Sequence, residues 1–475
     1  MGKIFHEGER TQDQDYRHSW TPSSTNQQTG LYEGACQTHK ACSPLYDGKK
    51  ATPSWYAFDV EDIDMAETQL ANHAVNTLSN LSATAVAARA AGRNPQPFFL
   101  AVGFHKPHVP WYAPSRYWDY YPEDNITLAP HRFKPVGAPN IAMQDVMRAW
   151  AHPKDKSKPL SCRYTDLCAQ LWPGGPDVNK SGAGGTLTPD FPFDNTTFPD
   201  WKAKELRRAY WAAVSYTDAN IGLVLDALHA SPFANSTIVA LWGDHGYALG
   251  DNDEWAKQTN FEHATHIPFM ISVPGLAPGV SHALVEEVDL LPTLVQASTL
   301  GSGSQRATVP PCPADTQTSR ATSLCTEGFS LLPLLRNSSA VWGRGAWSQF
   351  VRKASQCDCP AGSKAATCNC NVTAGNIPGS TGTIMGYTLR VDAYRYTVWV
   401  FFNQTAAAPD FTQVVGEELY LHDEHPLPVT WGVEHTNVIR DPQHQAVAER
   451  LRKAVVQCGQ RPDTCPVEVL AGLVP

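Results

Sequence analysis

The chain has no run of about 20 apolar residues, which leaves no candidate for a helix that spans a bilayer. Its first residues, MGKIFHEGER, are polar and supply none of the apolar h-region of a signal peptide. Charge is scarce too. Asp, Glu, Lys and Arg together make up 17%, and 37 Lys plus Arg against 46 Asp plus Glu give a net charge of -9. No general nucleic-acid binder is expected from that balance, and an anionic ligand would have to be met by a local cluster of cations. With 42% apolar residues the chain is also not a disordered one.

What is present points to a substantial globular protein. A length of 475 residues allows a large domain and a smaller one. Twelve cysteines and eight N-x-S/T sequons, at Asn80, Asn125, Asn179, Asn195, Asn235, Asn337, Asn371 and Asn403, are expected of a chain made in an oxidising, glycosylating compartment. A body of that kind without an export signal predicts that its natural beginning lies upstream.

Residues 11–57 show no steady period and read as irregular surface structure, with Cys36 and Cys42 closing a small loop. A helix is predicted over 64–91, with Ala66, Leu70, Ala74 and Leu81 near one face. The run PFFLAVGF (97–104) reads as a strand buried on both faces. Residues 140–200, rich in Gly, Pro and Thr, read as a long loop. Beyond it Tyr210, Val214, Ile221, Leu225 and Leu228 fall at helical spacing, followed by strands at 237–242 and 268–274. Alternating helix and buried strand predicts an α/β domain with a largely parallel sheet. From about residue 337 short strands such as YRYTVWVF (394–401) and ELYL (418–421), with a helix near 443–456, predict a smaller α+β unit.

In open sheets of that kind the site lies beyond the carboxyl ends of the strands. Two polar clusters sit there: HKPH (105–108), and Asp244-His245 within WGDHGYALGDNDEWAK (242–257), which packs four carboxylates, a histidine and a lysine. Two readings of Asp244 and His245 stay open on spacing alone. They could help hold a hard divalent cation such as Ca²⁺ or Mg²⁺, or form an Asp-His-Gly turn that caps a helix. His105 and His108, with Lys106 nearby, are either a proton donor and an anion clamp or satisfied turn histidines; Lys257 gains interest only from its neighbours. His263 and His266 lack the partners of a zinc site. Cys357-x-Cys359 and Cys368-x-Cys370 read as a disulfide-tied loop before a metal knuckle.

Taken in order, GKIFHEG (2–8), PFFLAVGFHKPHVPW (97–111), YPEDNITLAP (121–130), AVSYTDANIGLVLDAL (213–228), NSTIVALWGDHGYALGDNDEWAK (235–257), THIPFMISVPG (265–275), VDLLPTLV (288–295), IMGYTLR (384–390) and YRYTVWVFFN (394–403) resemble the sulfatase family, in its iduronate 2-sulfatase branch. The resemblance implies an alkaline-phosphatase-like α/β fold: a large mixed or parallel sheet flanked by helices over residues 1–336 and a smaller C-terminal α+β subdomain over 337–475. It implies a Ca²⁺ site that includes Asp244 and His245, and active-site roles for Lys3, His6, His108 and Lys257. Of these, Lys3, His108 and Lys257 would contact a sulfated carbohydrate substrate. It also implies local disulfides Cys36–Cys42 and Cys312–Cys325, and a secreted or lysosomal setting.

Three departures stand out. The family's Gly-Glu-His-Gly is replaced by Gly250-Asp-Asn-Asp253, which bears on contacts at the substrate rim. The family's N-terminal Asp pair is absent. None of the twelve cysteines stands in the C-x-P/A-S-R context that the family converts to the formylglycine nucleophile. A formylglycine-generating enzyme is therefore a partner only if an upstream segment carries that motif, and these 475 residues alone are expected to be inactive. The rival expectation is a non-catalytic relative that binds sulfated glycans; a phosphoesterase of the same superfamily is a third.

Overall fold

The computed structural model describes residues 55–143, 200–300, 307–313, 315–353, 383–422, 434–459, 461, 465, 467–470 and 472–473. Lys3, His6, Cys36, Cys42, Asn179, Asn195, Asn371, residues 144–199 of the expected long loop and both C-x-C pairs lie outside them. The described residues fall into two compact units, 55–128 with 200–237, and 129–143 with the residues from 238 onward.

In the first unit strand β1 (Trp55–Phe58) pairs in parallel with β2 (Trp111–Pro114), Trp55 opposite Trp111. Helix α1 (Ala66–Ala90) forms where the sequence predicts one, and Leu70, Ala71, Ala74 and Leu78 make its buried stripe at three- and four-residue spacing. Helix α2 (Asp200–His229) starts ten residues before the periodic positions Tyr210 to Leu228. Its buried face is also rotated from the one those positions predict. Leu206, Ala209, Ala213, Tyr216 and Asn220 are buried, whereas Val214 is 40% exposed. Small alanines let α2 approach α1, and the contact is sealed by a polar clasp: the Thr68 backbone N–H donates to the Tyr216 hydroxyl at 3.1 Å, with Thr68 Oγ1 3.0 Å from it. Burial raises the Tyr216 phenol above its ordinary pKa, so it stays a neutral hydrogen-bonding group.

The expected strand at 97–104 is not found as one: apart from a bridge at Gly103 these residues carry no strand assignment, and Phe99 is 75% exposed. An apolar run records a preference for burial, but a strand exists only through its ladder, and no described ladder takes up this run.

In the second unit β3 (Val239–Trp242) and β6 (Phe269–Ser272) form inside the spans read for them, but they pair antiparallel and are half-buried, with Trp242 47% exposed. Among the described strands of the α/β part, β1 and β2 pair in parallel and β3 and β6 antiparallel, a mixed α/β arrangement. Between β3 and β6 lie the two-residue strands β4 (Ala248–Leu249) and β5 (Trp255–Ala256), paired antiparallel, and one helical turn, α3 (Glu262–Thr265).

Beyond residue 337 four strands, β7 (Ala346–Lys353), β8 (Thr383–Val391), β9 (Tyr394–Asn403) and β10 (Ala408–Leu421), make an antiparallel meander. Helix α4 (Gln445–Cys458) covers it, laying Leu451, Ala454 and Val455 over Leu389, Tyr396, Val398 and Leu419. Gly386 sits opposite Trp399, where a β-carbon would come within 2.7 Å of the indole ring. The Trp399 indole N–H in turn donates to the buried Glu418 carboxylate at 2.7 Å. The disulfide Cys312–Cys325 is present as expected, and Cys458–Cys465 joins the end of α4 to the chain beyond it.

Candidate active site

The Asp244–His245 turn follows β3 directly and is held by its backbone. Gly243 N–H donates to the Pro268 carbonyl at 3.1 Å and Gly246 N–H to the Ala264 carbonyl at 2.8 Å. A β-carbon at Gly246 would collide with the His263 carbonyl, so the close approach to α3 demands glycine there. His245 Nδ1 lies 2.8 Å from the Gly246 carbonyl, which can only accept; Nδ1 therefore carries a hydrogen, and in the neutral ring Nε2 keeps its lone pair. That nitrogen is 3.6 Å from Asp244 Oδ2, and the Asp244 side chain is 65% exposed.

A second carboxyl group senses the charge of this turn. Glu287 is pushed up to about 7, first by burial and second by the negative charge of Asp244. An aspartate and a histidine with its second nitrogen in ligand form are donors that suit a hard divalent cation.

The loop between β4 and β5 turns back under strain. Asn252, Asp253 and Ala256 all have positive φ, 56°, 61° and 86°, a region L-residues avoid. Asp253 takes a glycine-favouring conformation at the position where the sequence departs from Gly-Glu-His-Gly. Burial, and then the charge of Glu254, raises its carboxyl to about 8 against the opposing pull of Arg132. Lys257 emerges immediately after Ala256.

In the first unit the HKPH segment includes a cis peptide at Lys106–Pro107, and a second follows it at Val109–Pro110. His108 Nδ1 lies 2.6 Å from the Val109 carbonyl and so carries a hydrogen, which turns Nε2 into the ring's other, acceptor-capable end. The His105 and His108 rings are 4.6 Å apart, and buried Lys106 points its ammonium at His105 Nδ1 and the His108 carbonyl, 3.4 Å from each. The His105 backbone N–H donates to Glu67 of α1 at 3.2 Å. Asp244, His245 and Lys257 thus belong to one unit and His108 to the other.

The two histidines set aside as zinc ligands do go separate ways: His263 Nε2 is 3.5 Å from Glu254, and His266 Nδ1 is 3.4 Å from Glu262. A second cluster had no spacing signal at all. Glu262, His422 and Glu434, all buried, bring one ligand-type atom each within 4.8 Å of one another. Its donors are already engaged, however. Glu434 Oε1 is shared by Arg395 Nε and His422 Nε2, the latter at 2.9 Å, and Oε2 accepts the Glu262 backbone N–H at 2.9 Å. Arg390 stands 3.4 Å from Glu262, so two guanidiniums match two carboxylates. A divalent cation would add unbalanced charge in a buried place, and the cluster is an ion-pair network. Although burial opposes it, Arg395 and then His422 hold the Glu434 carboxyl well below the usual carboxylate range.

The phosphonate monoester hydrolase from Silicibacter pomeroyi superposes with a TM-score of 0.52 at 21% identity, over 87% of this chain and 63% of that one. The fold is accordingly the alkaline-phosphatase-like α/β fold. The sulfatase family matches residues 12–300, and the mouse iduronate 2-sulfatase is 30% identical across 95% of this chain and 76% of its own length. Human iduronate 2-sulfatase is also 30% identical, across 90% of this chain and 72% of its own. The chain belongs to the sulfatase family, whose members are sulfuric ester hydrolases and generally bind a metal ion.

Proposed function

We propose that the chain is the sulfatase domain, with its C-terminal subdomain from residue 337, of an iduronate 2-sulfatase type enzyme that hydrolyses sulfate esters of glycans. Asp244 and His245 would hold Ca²⁺, and Lys257, His108, Lys3 and His6 would bind the sulfate and serve the leaving group. The observation that carries this reading is the Asp244–His245 turn, whose histidine is fixed with Nδ1 protonated toward the Gly246 carbonyl, the tautomer a metal-ligating Nε2 requires. A cation held there would offset negative charge on the sulfate oxygens. As the family resemblance implies, the ammonium of Lys257 would bind the anion, and the His108 ring, whose Nδ1 faces the Val109 carbonyl, would pass a proton to the departing sugar oxygen. The departure at Gly250–Asp253 would alter contacts at the substrate rim.

Five sequon asparagines lie among the described residues, Asn80, Asn125, Asn235, Asn337 and Asn403, and all five are exposed. With two disulfides this supports passage through an oxidising, glycosylating compartment and a secreted or lysosomal destination.

Because no cysteine has the formylglycine context, the 475 residues are proposed to bind sulfated sugar without turning it over. The test is sulfate release from a sulfated iduronate disaccharide with Ca²⁺, alongside equilibrium binding of the same disaccharide. No release, with binding weakened by Lys257→Ala, is expected. Robust calcium-dependent turnover would overturn the missing-nucleophile reading, and binding indifferent to Lys257→Ala would overturn the site. Upstream coding sequence decides between the enzyme and a non-catalytic glycan binder: an in-frame C-x-P-S-R and Asp pair restores the enzyme.

A further inference from the structure

The Asp244–His245 turn is held where Gly246 N–H meets the Ala264 carbonyl and where the lack of a β-carbon at Gly246 leaves room for the His263 carbonyl. Both carbonyls belong to α3, a helix of four residues. A helical segment that short has no stability of its own, because nucleation costs more than one turn of hydrogen bonds returns. Something else must fix it.

Glu434 supplies that anchor. The first N–H of α3, from Glu262, donates to Glu434 Oε2 at 2.9 Å. Glu434 is itself immobilised, with φ of 68° and its other oxygen clamped by the guanidinium of Arg395, on β9, and by His422, just past β10. Arg395 is 1% exposed and makes a second bond, 2.7 Å to Thr397 Oγ1 in the same strand. The Glu262 side chain is tied to Arg390 of β8, so α3 is fastened to the antiparallel sheet through both its backbone and its carboxylate. A continuous line of contacts therefore runs from the sheet through Arg395, Glu434 and α3 to the Gly246 amide, one residue from His245.

We propose that Glu434, clamped by Arg395 and His422, is a positioning residue that fixes the Asp244–His245 turn through α3. The inference deepens the functional reading and rests on it for the turn's role as a metal-ligand pair; the mechanical link stands on the contacts alone. The charge it invokes is buried and paired, so its loss is felt locally and not screened by solvent.

Amide hydrogen exchange on the full chain tests it. In Glu434→Gln one end of the side-chain amide must aim a donor at a donor. Exchange at Gly246 and His266 is expected to quicken by about tenfold or more, while Ala454 and Val455 in α4 keep their wild-type rates. Should that variant fail to fold, Glu434→Asp keeps the charge, withdraws it by one methylene, and is expected to give a smaller acceleration at the same two amides. A folded variant whose Gly246 rate stays at the wild-type value, or rises only as much as the α4 amides, overturns the proposal. A calcium titration of Asp244→Asn runs beside it. Unchanged calcium binding there would sink the metal reading of the turn and leave the Glu434 link to be judged by exchange; lost calcium binding with a flat Gly246 rate sinks the positioning role alone.

Discussion

The antiparallel sheet and the β4–β5 loop both bury charge, and they treat it in opposite ways. In the sheet, Glu434 is met by Arg395, His422 and a backbone N–H, and Glu418 by the Trp399 indole and the Tyr420 hydroxyl, 2.7 and 2.9 Å away. In the loop, Asn252, Asp253 and Glu254 are buried within three consecutive residues, yet Oδ1 of Asn252 and of Asp253 finds no donor, and the backbone is forced to positive φ at Asn252, Asp253 and Ala256. Satisfied burial builds a frame. Unsatisfied burial on a strained backbone costs stability, and such costs gather where a fold presents side chains for function.

The contrast breaks most visibly at Arg395. Arg395→Met leaves Glu434 charged and buried without its main partner, and a loss of about 3–5 kcal/mol in urea-denaturation stability is expected. A loss below about 1 kcal/mol would mean the network is not the frame it looks like.

Asp253 gives the next largest effect, with the opposite sign and a pH signature. Its folded pKa of about 8 lies above the ordinary 3.8, so the folded state holds the proton more tightly than the unfolded one. Wild-type stability therefore falls as pH rises from about 4 through about 8. Asp253→Asn removes this dependence. The variant should match wild type near pH 4 and exceed it by up to about 4 kcal/mol at pH 7, an upper bound from the shift. Equal slopes of stability against pH would show that Asp253 ionises freely in the fold.

Gly386→Ala probes the frame's packing. A methyl group within 2.7 Å of Trp399 forces ring or strand to move, for an expected loss of about 1–3 kcal/mol without effect on sulfated-sugar binding.

How much of this the chain declares in advance depends on the kind of signal. Helix α1 is legible because Leu70 and Ala74 repeat on one face, and β9 because its run of aromatic and β-branched residues suits a pleated strand. The face of α2 is not, because its buried stripe includes alanines, Thr217 and Asn220, which hydrophobicity ranks below the exposed Val214. The run 97–104 misleads because apolar character says nothing of ladder partners. At the candidate site, acids clustered after a strand draw notice to Asp244 and His245 without deciding their role, and Lys257 gains interest only from these neighbours. Arg395, His422 and Glu434 carry no such signal: they are spread over 40 residues with no common period, and only folding brings their charges together. Glu287 is found the same way, through the Asp244 charge it senses.

The smallest effect sharpens the comparison most. Ala256, with φ of 86°, immediately precedes Lys257 and lies buried in β5. An L-residue there costs roughly 1–2 kcal/mol that glycine avoids, while glycine gives back about 0.5–1 kcal/mol through the greater freedom of the unfolded chain. Ala256→Gly should therefore gain about 0.5–1 kcal/mol in the urea midpoint analysis. If the strain serves to aim Lys257, the same variant should bind the sulfated disaccharide more weakly, because the lysine now samples directions the alanine forbade. Higher stability with weaker binding marks the loop as a site held under tension; higher stability with unchanged binding would make the tension incidental and assign the aiming of Lys257 to its side-chain contacts.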